Sequence, residues 1–305
     1  MDAATFNGRS VHAVQIGLGT FGTFVQNLTG EKREWNHVIG WLLESTSEWR
    51  SMHFRGVAVE PVSEHVERLR PLIAELPHVE LVQAAIGEEE ETSVEIHVLT
   101  QSAHDNLLSL VASEHRNGLE DYLVYLRNMS CVGSPHPELE YRRCEALRKF
   151  GVDINVFERQ FTQIWSYGRL ATQFNFCGCE LLIIDAEGHD AKILRSMISH
   201  CLKEDITNVM VWPDVIAFET LGHCDCKEGP NTEALIVRDL EIHGYILFWN
   251  DYANKYMVKC KALEMRPSLQ EWLGTMVCTS CKGSGNWPFN WKMECSCCDK
   301  EQNLD

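Results

Sequence analysis

The sequence holds no run of 18 apolar residues, so it offers no segment to span a membrane. Its first ten residues, MDAATFNGRS, lack the basic-then-apolar pattern of a secretory leader. Together these absences lead us to expect a cytoplasmic protein. Basic charge is also short: 27 Lys and Arg stand against 44 Asp and Glu, a formal net charge of −17. Broad, sequence-blind nucleic-acid binding needs a basic surface and is not expected here. No internal repeat is visible. Thirteen cysteines are an odd number. In a chain of this kind they read as reduced thiols plus a metal site rather than a disulfide framework.

What is there is a chain of 305 residues with an ordinary hydrophobic share of 45%. That is enough for one large domain or two modest ones. Apolar strands alternate with helical periodicities. VHAVQIG (11–17), GVAVEP (56–61), VELVQAAIG (79–87), SVEIHVL (93–99), DINVFER (153–159), ELLIIDAE (180–187) and DVIAFET (214–220) read as strands. Trp35, Val38, Ile39, Leu42 and Leu43 recur at helical spacing. Residues 63–76 read as a helix that Pro71 should bend or end early. Residues 190–202 and 231–245 read as helices, the second stopped by Gly244, and residues 105–150 as mostly helical. YILFWN (245–250) and NKYMVKC (254–260) read as an antiparallel pair. The alternation implies an α/β domain with a mainly parallel sheet.

In such sheets ligands bind beyond the carboxyl ends of the strands. Gly17, Glu60, Asp185, Glu187 and Glu219 all fall at such ends. GLGTFG (17–22) fits the G-x-G-x-x-G turn, in which Gly17 permits the tight turn, Gly19 a close backbone approach and Gly22 helix–strand packing. A plain strand–helix turn is the alternative. Glu60 would then accept the ribose hydroxyls of an adenosine-type cofactor. Its distance from the glycines exceeds the usual gap of about 20 residues, and a Trp-rich helix would fill the difference.

VQIGLGTFG, VAVEPVSEHVERL, VELVQAAIGEEE, LLIIDAEGHDAKIL, VIAFET and HGYILFW, taken in order, resemble the FkbM-type S-adenosylmethionine-dependent methyltransferases over roughly residues 11–260. The resemblance implies a Rossmann-like class I methyltransferase fold and methyl transfer mainly to oxygen, on a small-molecule or sugar-like hydroxyl. It implies a cofactor site of Gly17, Gly19, Gly22, Glu60, Pro61, Ala85 and Ile86, with Asp185 and Glu187 near the transferred methyl. The family often has a lysine just before the aspartate of the fourth strand. Here that residue is Ile184, and Gln15-Ile16 precede the first glycine where acidic or asparagine-like residues are frequent. Both departures leave the substrate open. The antiparallel ending suits a methyltransferase sheet better than a dehydrogenase one.

For a hydroxyl acceptor the protein must align the groups and remove a proton. Asp185, Glu187 and His189 are the candidate bases. His189 has the unperturbed pKa best suited to pH 7, against the alternative of an exposed residue near a helix start. Glu219 is a candidate for orienting substrate, and Asp190 reads as a helix N-cap rather than a catalyst. HCDC (223–226) packs three ligands too tightly for one ion and reads as a flexible loop over the site.

Beyond residue 262 the tail carries CTSCKGSG (278–285) and ECSCC (294–298). Cys278, Cys281, Cys295 and Cys298 make two C-x-x-C knuckles, a four-thiolate set for structural zinc, with Cys297 spare. CTSCKGSG resembles half of the zinc-binding repeat of DnaJ-type chaperones. Trp287, Phe289 and Trp291 would pack the knuckle. We therefore expect a methyltransferase-like domain over 1–262, with a helical insertion at 100–150, and a zinc-binding tail over 263–305. Two other classes stay open: a nicotinamide-dependent oxidoreductase, and a non-catalytic scaffold that contacts a protein partner through the tail.

Overall fold

The computed structural model describes residues 11–18, 55–76, 78–88, 93–110, 157–205, 209–250 and 254–265. It also describes short pieces at 119–120, 122–123, 131–132 and 147–148. Four segments form a parallel core: β1 (Ala13–Ile16), β2 (Gly56–Val59), β9 (Leu181–Ile184) and β10 (Val215–Glu219). The first three are buried at every position, and β10 at all but Glu219. That is why they read as continuous apolar runs and not as alternations: strands covered on both faces need apolar residues throughout. The polar exception is Gln15, and its side-chain amide donates to the Gly17 carbonyl at 3.1 Å.

With β3 (Val79–Val82), β11 (Tyr245–Asn250) and β12 (Asn254–Lys259), the core makes a seven-stranded sheet in the order β3-β2-β1-β9-β10-β12-β11. β12 is antiparallel to both of its neighbours, β10 and β11. The order reverses between β1 and β9, which pair in parallel from Ala13–Leu181 to Ile16–Ile184. Such a reversal opens a crevice at the carboxyl ends of the two strands.

Helices cover both faces. On one lie α3 (Tyr167–Gln173), α4 (Asp190–Asp205) and α6 (Thr232–Ile242); their residues Leu170, Leu194, Met197, Ile236 and Leu240 join Val14, Val57, Leu182 and Ile216 in one core. On the other lies α1 (Ser63–Ala74), where Leu69 and Ile73 join Ala13, Ala58, Ile183 and Ala217. Burying each such side chain contributes about 1.5–3 kcal/mol.

Several expectations are corrected. α1 runs through Pro71 to Ala74. Pro71 sits on the exposed face, where water can take the carbonyl that its missing N–H leaves. Residues 79–87 are two strands, because the chain leaves the main sheet after β3. β4 (Ala85–Gly87) pairs instead with β8 (Ile164–Ser166). The strand expected at 153–159 is β7 (Glu158–Thr162); residues 153–156 lie outside the described set. β7 flanks β5 (Val94–Val98) in an antiparallel three-stranded sheet with β6 (Cys131–Val132), so the middle is not helical throughout. Its helices include α2 (Gln101–Leu110), and Leu99, Leu107, Leu119, Leu123 and Leu147 form a separate small core. The HCDC segment is not a loop but α5 (His223–Glu228), entered through Gly222 at φ 80°. α7 (Cys260–Met265) ends the described chain. The helix expected at 31–50, and all four knuckle cysteines, lie outside the described residues. Among those described, no helix is long and apolar enough to cross a membrane.

Leu182 is fully buried at the centre of the sheet, whereas Leu247 on edge strand β11 is 41% exposed. Leu182→Ala should cost about 2–5 kcal/mol in urea unfolding. Leu247→Ala should stay within about 0.5 kcal/mol.

Candidate active site

The crevice at the β1/β9 reversal is a shallow cleft open to solvent. Ile16, Ala84, Ala85, Ile86, Ala186 and Ile193 give it apolar walls, and Gly17, Glu60, Pro61, His65, Asp185, Glu187 and His189 also line it. The structure thus brings together Gly17, the acid of β2, the Ala85–Ile86 pair and the acids after β9. Gly19 and Gly22 lie outside the described residues.

Gly17 has φ +82°, and a Cβ there would meet the Asp185 carbonyl oxygen at 1.8 Å. The glycine is required by the neighbouring strand end itself: Asp185 N donates to the Ile16 carbonyl at 2.9 Å. Glu60 is 2% exposed and bridges three segments. Oε2 accepts from Leu18 N at 3.0 Å, while Oε1 accepts from Val62 N at 2.9 Å and lies 3.2 Å from His65 Nδ1.

After β9 the chain turns through Glu187 at φ +51° and Gly188 at φ +89°. A Cβ on Gly188 would lie 2.8 Å from the His223 carbonyl oxygen, so the turn packs directly on the start of α5. Asp190 holds this turn to β10: its carboxylate accepts from Gly188 N and from Glu219 N, each at 3.3 Å. It is 1% exposed, the first residue of α4, and its carboxylate bonds to the turn and to the end of β10. The N-cap expectation is corrected: Asp190 lies inside the helix and its carboxylate ties the turn to β10.

His223, which sequence reasoning set aside with the supposed loop, belongs to the site. Its Nδ1 lies 2.9 Å from Glu219 Oε2 and 3.5 Å from Glu187 Oε2. The three side chains offer ligand atoms within 4.8 Å of one another, a donor set of the kind that holds a hard divalent cation. The His223–Glu219 bond satisfies the same geometry without an ion. Cys224 is buried and its thiol is pushed up, first by burial, so it does not extend that set. The signal for His223 was its spacing: it stands four residues beyond Glu219, across a glycine that can turn the chain back.

Crowded acids control one another's protons. Burial first, then Asp185 and Asp190, raises Glu219 to about 10, so its carboxyl is protonated at neutral pH and its O–H can donate to His223. Asp185 is raised to about 7 by desolvation, with Asp190 and Glu60 adding to the effect and His223 opposing it. Asp185 is exposed to the open cleft, where water offsets part of this desolvation. His189 moves the other way. Burial, then Lys227, Lys192 and Arg195, lowers it to about 3, and its Nε2 is buried with no hydrogen-bond partner. The expectation that His189 is poised for work near pH 7 is corrected: it is a buried neutral ring. Asp185 is the cleft residue with the suitable pKa. Arg195 of α4 pairs with Glu88 after β4 and with Glu228 of α5, tying both sides of the cleft to one helix.

Compared with known proteins, the chain matches no protein-family model and no curated protein.

Two predictions follow from this geometry. Gly17→Ala should cost at least about 2 kcal/mol of stability, since it adds both a steric overlap and an unfavourable φ; urea unfolding measures it. The folded protein holds a proton on Glu219 that the unfolded chain releases above about 4.5. That contribution to stability is full below about 4.5 and is lost as pH rises toward about 10. Asp185 acts in the same sense between 3.8 and about 7. Glu219→Gln should therefore flatten the fall in Tm between pH 5 and pH 9 (a range taken inside that window); an unchanged slope would contradict the protonated state.

Proposed function

We propose that this chain is an S-adenosylmethionine-dependent methyltransferase acting on the hydroxyl of a small-molecule or sugar-like acceptor. The observation that carries the reading is the cleft, where Glu60, Ala85–Ile86 and Asp185 meet at the reversal of strand order. An apolar wall suits a flat base. A carboxylate one strand away suits a ribose hydroxyl: Leu18 N, Val62 N and His65 occupy three of its acceptor positions, and Oε2 keeps one for a hydroxyl hydrogen. The residues present therefore fit an adenosine-type cofactor. The antiparallel β12, inserted between β10 and β11, supports the methyltransferase reading over a nicotinamide-dependent oxidoreductase. The dinucleotide-binding order ends instead in a further parallel strand.

When bound, the cofactor would supply a methyl group already activated by its sulfonium. The protein's own part is alignment and proton removal. Ala84, Ala85 and Ile86 would hold the base, with Glu60 on the ribose. Asp185, open to the cleft and raised toward neutrality, would take the proton of the acceptor hydroxyl as oxygen forms its new bond to carbon. Protonated Glu219, held by Asp190 through its backbone and donating its one O–H to His223, would fix the His223 ring beside the acceptor side. Glu187 closes the same edge. His189 is a wall and not a base. In this reading Cys278, Cys281, Cys295 and Cys298 hold a structural zinc that folds the tail and offers a surface to a protein partner.

Calorimetric titration with S-adenosylmethionine, S-adenosylhomocysteine and NAD, repeated on Glu60→Ala, tests the reading. The sulfur cofactors alone should bind, and the variant should lose about tenfold or more in affinity. Asp185→Asn should keep cofactor binding while transfer of labelled methyl to a panel of hydroxyl compounds falls by about 100-fold or more. Binding of NAD alone would favour the oxidoreductase. Binding of none of the three would leave the scaffold reading, with the cysteine tail as its contact surface.

A further inference from the structure

Glu60 is not the only buried polar group of the β2 end that borders the cleft. His65, in the first turn of α1, is 1% exposed and lines the same space. Its Nδ1 stands 3.2 Å from Glu60 Oε1, with the two side chains 2% and 3% exposed. Leu18 N and Val62 N both donate to Glu60, so its oxygens act as acceptors and His65 Nδ1 must carry the hydrogen between them. The three donors come from three places: the turn after β1, the loop after β2 and the helix that follows. A carboxylate held by one donor can still rotate about its last bonds. Held by three, it presents one plane to the cleft.

The consequence concerns what the cleft distinguishes. Val62 N and Leu18 N belong to the backbone and are fixed by the sheet ends. Among these three donors, all within the described residues, His65 is the side chain, and it approaches Oε1 from the α1 side. We infer that His65 is a positioning residue that sets the ribose selectivity of the cleft, by holding Glu60 in the plane where it reads the ribose hydroxyls. The inference rests on the adenosine-cofactor reading above and adds a residue to it. His65 would touch no reacting atom; it would act through Glu60. Any loss of this contact should therefore appear as lost discrimination between a ribose and a deoxyribose, and not only as weaker binding overall.

The test compares S-adenosylhomocysteine with its 2′-deoxyribose counterpart by calorimetry on the full chain. The wild type should prefer the ribose form by about tenfold, the scale of one hydrogen bond to a charged group. His65→Phe fills the space without a donor and should bring the two ligands within about twofold of each other. His65→Gln keeps an N–H donor and should restore most of the preference, which a purely packing role would not do. Circular dichroism and thermal unfolding establish that each variant is folded. If His65→Phe does not fold, His65→Gln decides: a lost preference in a folded His65→Gln protein overturns the donor role. A preference retained in folded His65→Phe overturns the inference and leaves the cofactor reading standing. A wild type that binds neither ligand overturns both.

Discussion

The site depends on the approach of Gly17 to the carbonyl of Asp185. β1 and β9 are the central pair of the sheet, and their ladder ends with Asp185 N donating to Ile16. Beyond that bond the two chains must part, one toward the glycine turn and one toward α4. They part at a distance that leaves no room for a Cβ on residue 17. Everything on the edge takes its position from this fork. Leu18, one residue along, donates to Glu60; Glu187 and Gly188, two and three residues along the other arm, pack against α5. A shift of either arm would move Glu60 and the acids after β9 relative to each other.

The second constraint is electrostatic. Asp185, Glu187, Asp190 and Glu219 lie close together, yet they are not equivalent. Asp190 is stabilised by backbone donors and serves the architecture. Glu219 is buried among acids and keeps its proton. Asp185 alone opens to the cleft at a raised pKa. The division of roles among identical functional groups comes from where each sits. Burial pushes all three upward; like charge adds to it at Asp185 and Glu219, whereas at Asp190 backbone donors oppose it. His189 shows the same rule with the opposite sign, because burial disfavours an imidazolium as it disfavours a carboxylate.

Much of the fold was legible because two-sided burial leaves a plain mark. AVQI, GVAV, LLII and VIAF are continuous apolar runs, and each is a central strand. The acids that follow them were legible as a shared edge for the same reason. What the sequence hid depended on tertiary partners. Nothing local distinguishes an exposed Pro71 in a helix from one that breaks it. Nothing in VELVQAAIG says that its last three residues leave for another sheet. HCDC looked like a loop because its helical turn has only one deeply buried residue, Cys224, and the partners of His223 are four and thirty-six residues away. The pKa of His189 was equally hidden, since part of the ring's burial comes from β4, about a hundred residues earlier in the chain, where Gly87 packs on it.

These features bear on whether the edge is a working site or a relic of a fold. Buried carboxylates forced to share protons lower stability at neutral pH. A buried imidazole nitrogen without a partner costs the desolvation of that atom. Glu187 holds a left-handed backbone that glycine or asparagine would take more easily. Each of these costs could be removed by a single substitution to a neutral or smaller residue, and they gather at two adjacent strand ends, the turn after β9 and Glu219 at the end of β10. The sheet around them is locally consistent, with apolar strands where strands are buried and Asp190 satisfied by two backbone donors. Buried imidazole nitrogens without a partner occur elsewhere among the described residues too, at His104 and His200; what sets this edge apart is that its costs border one cleft, where strain and unshared charge are most often kept for a ligand.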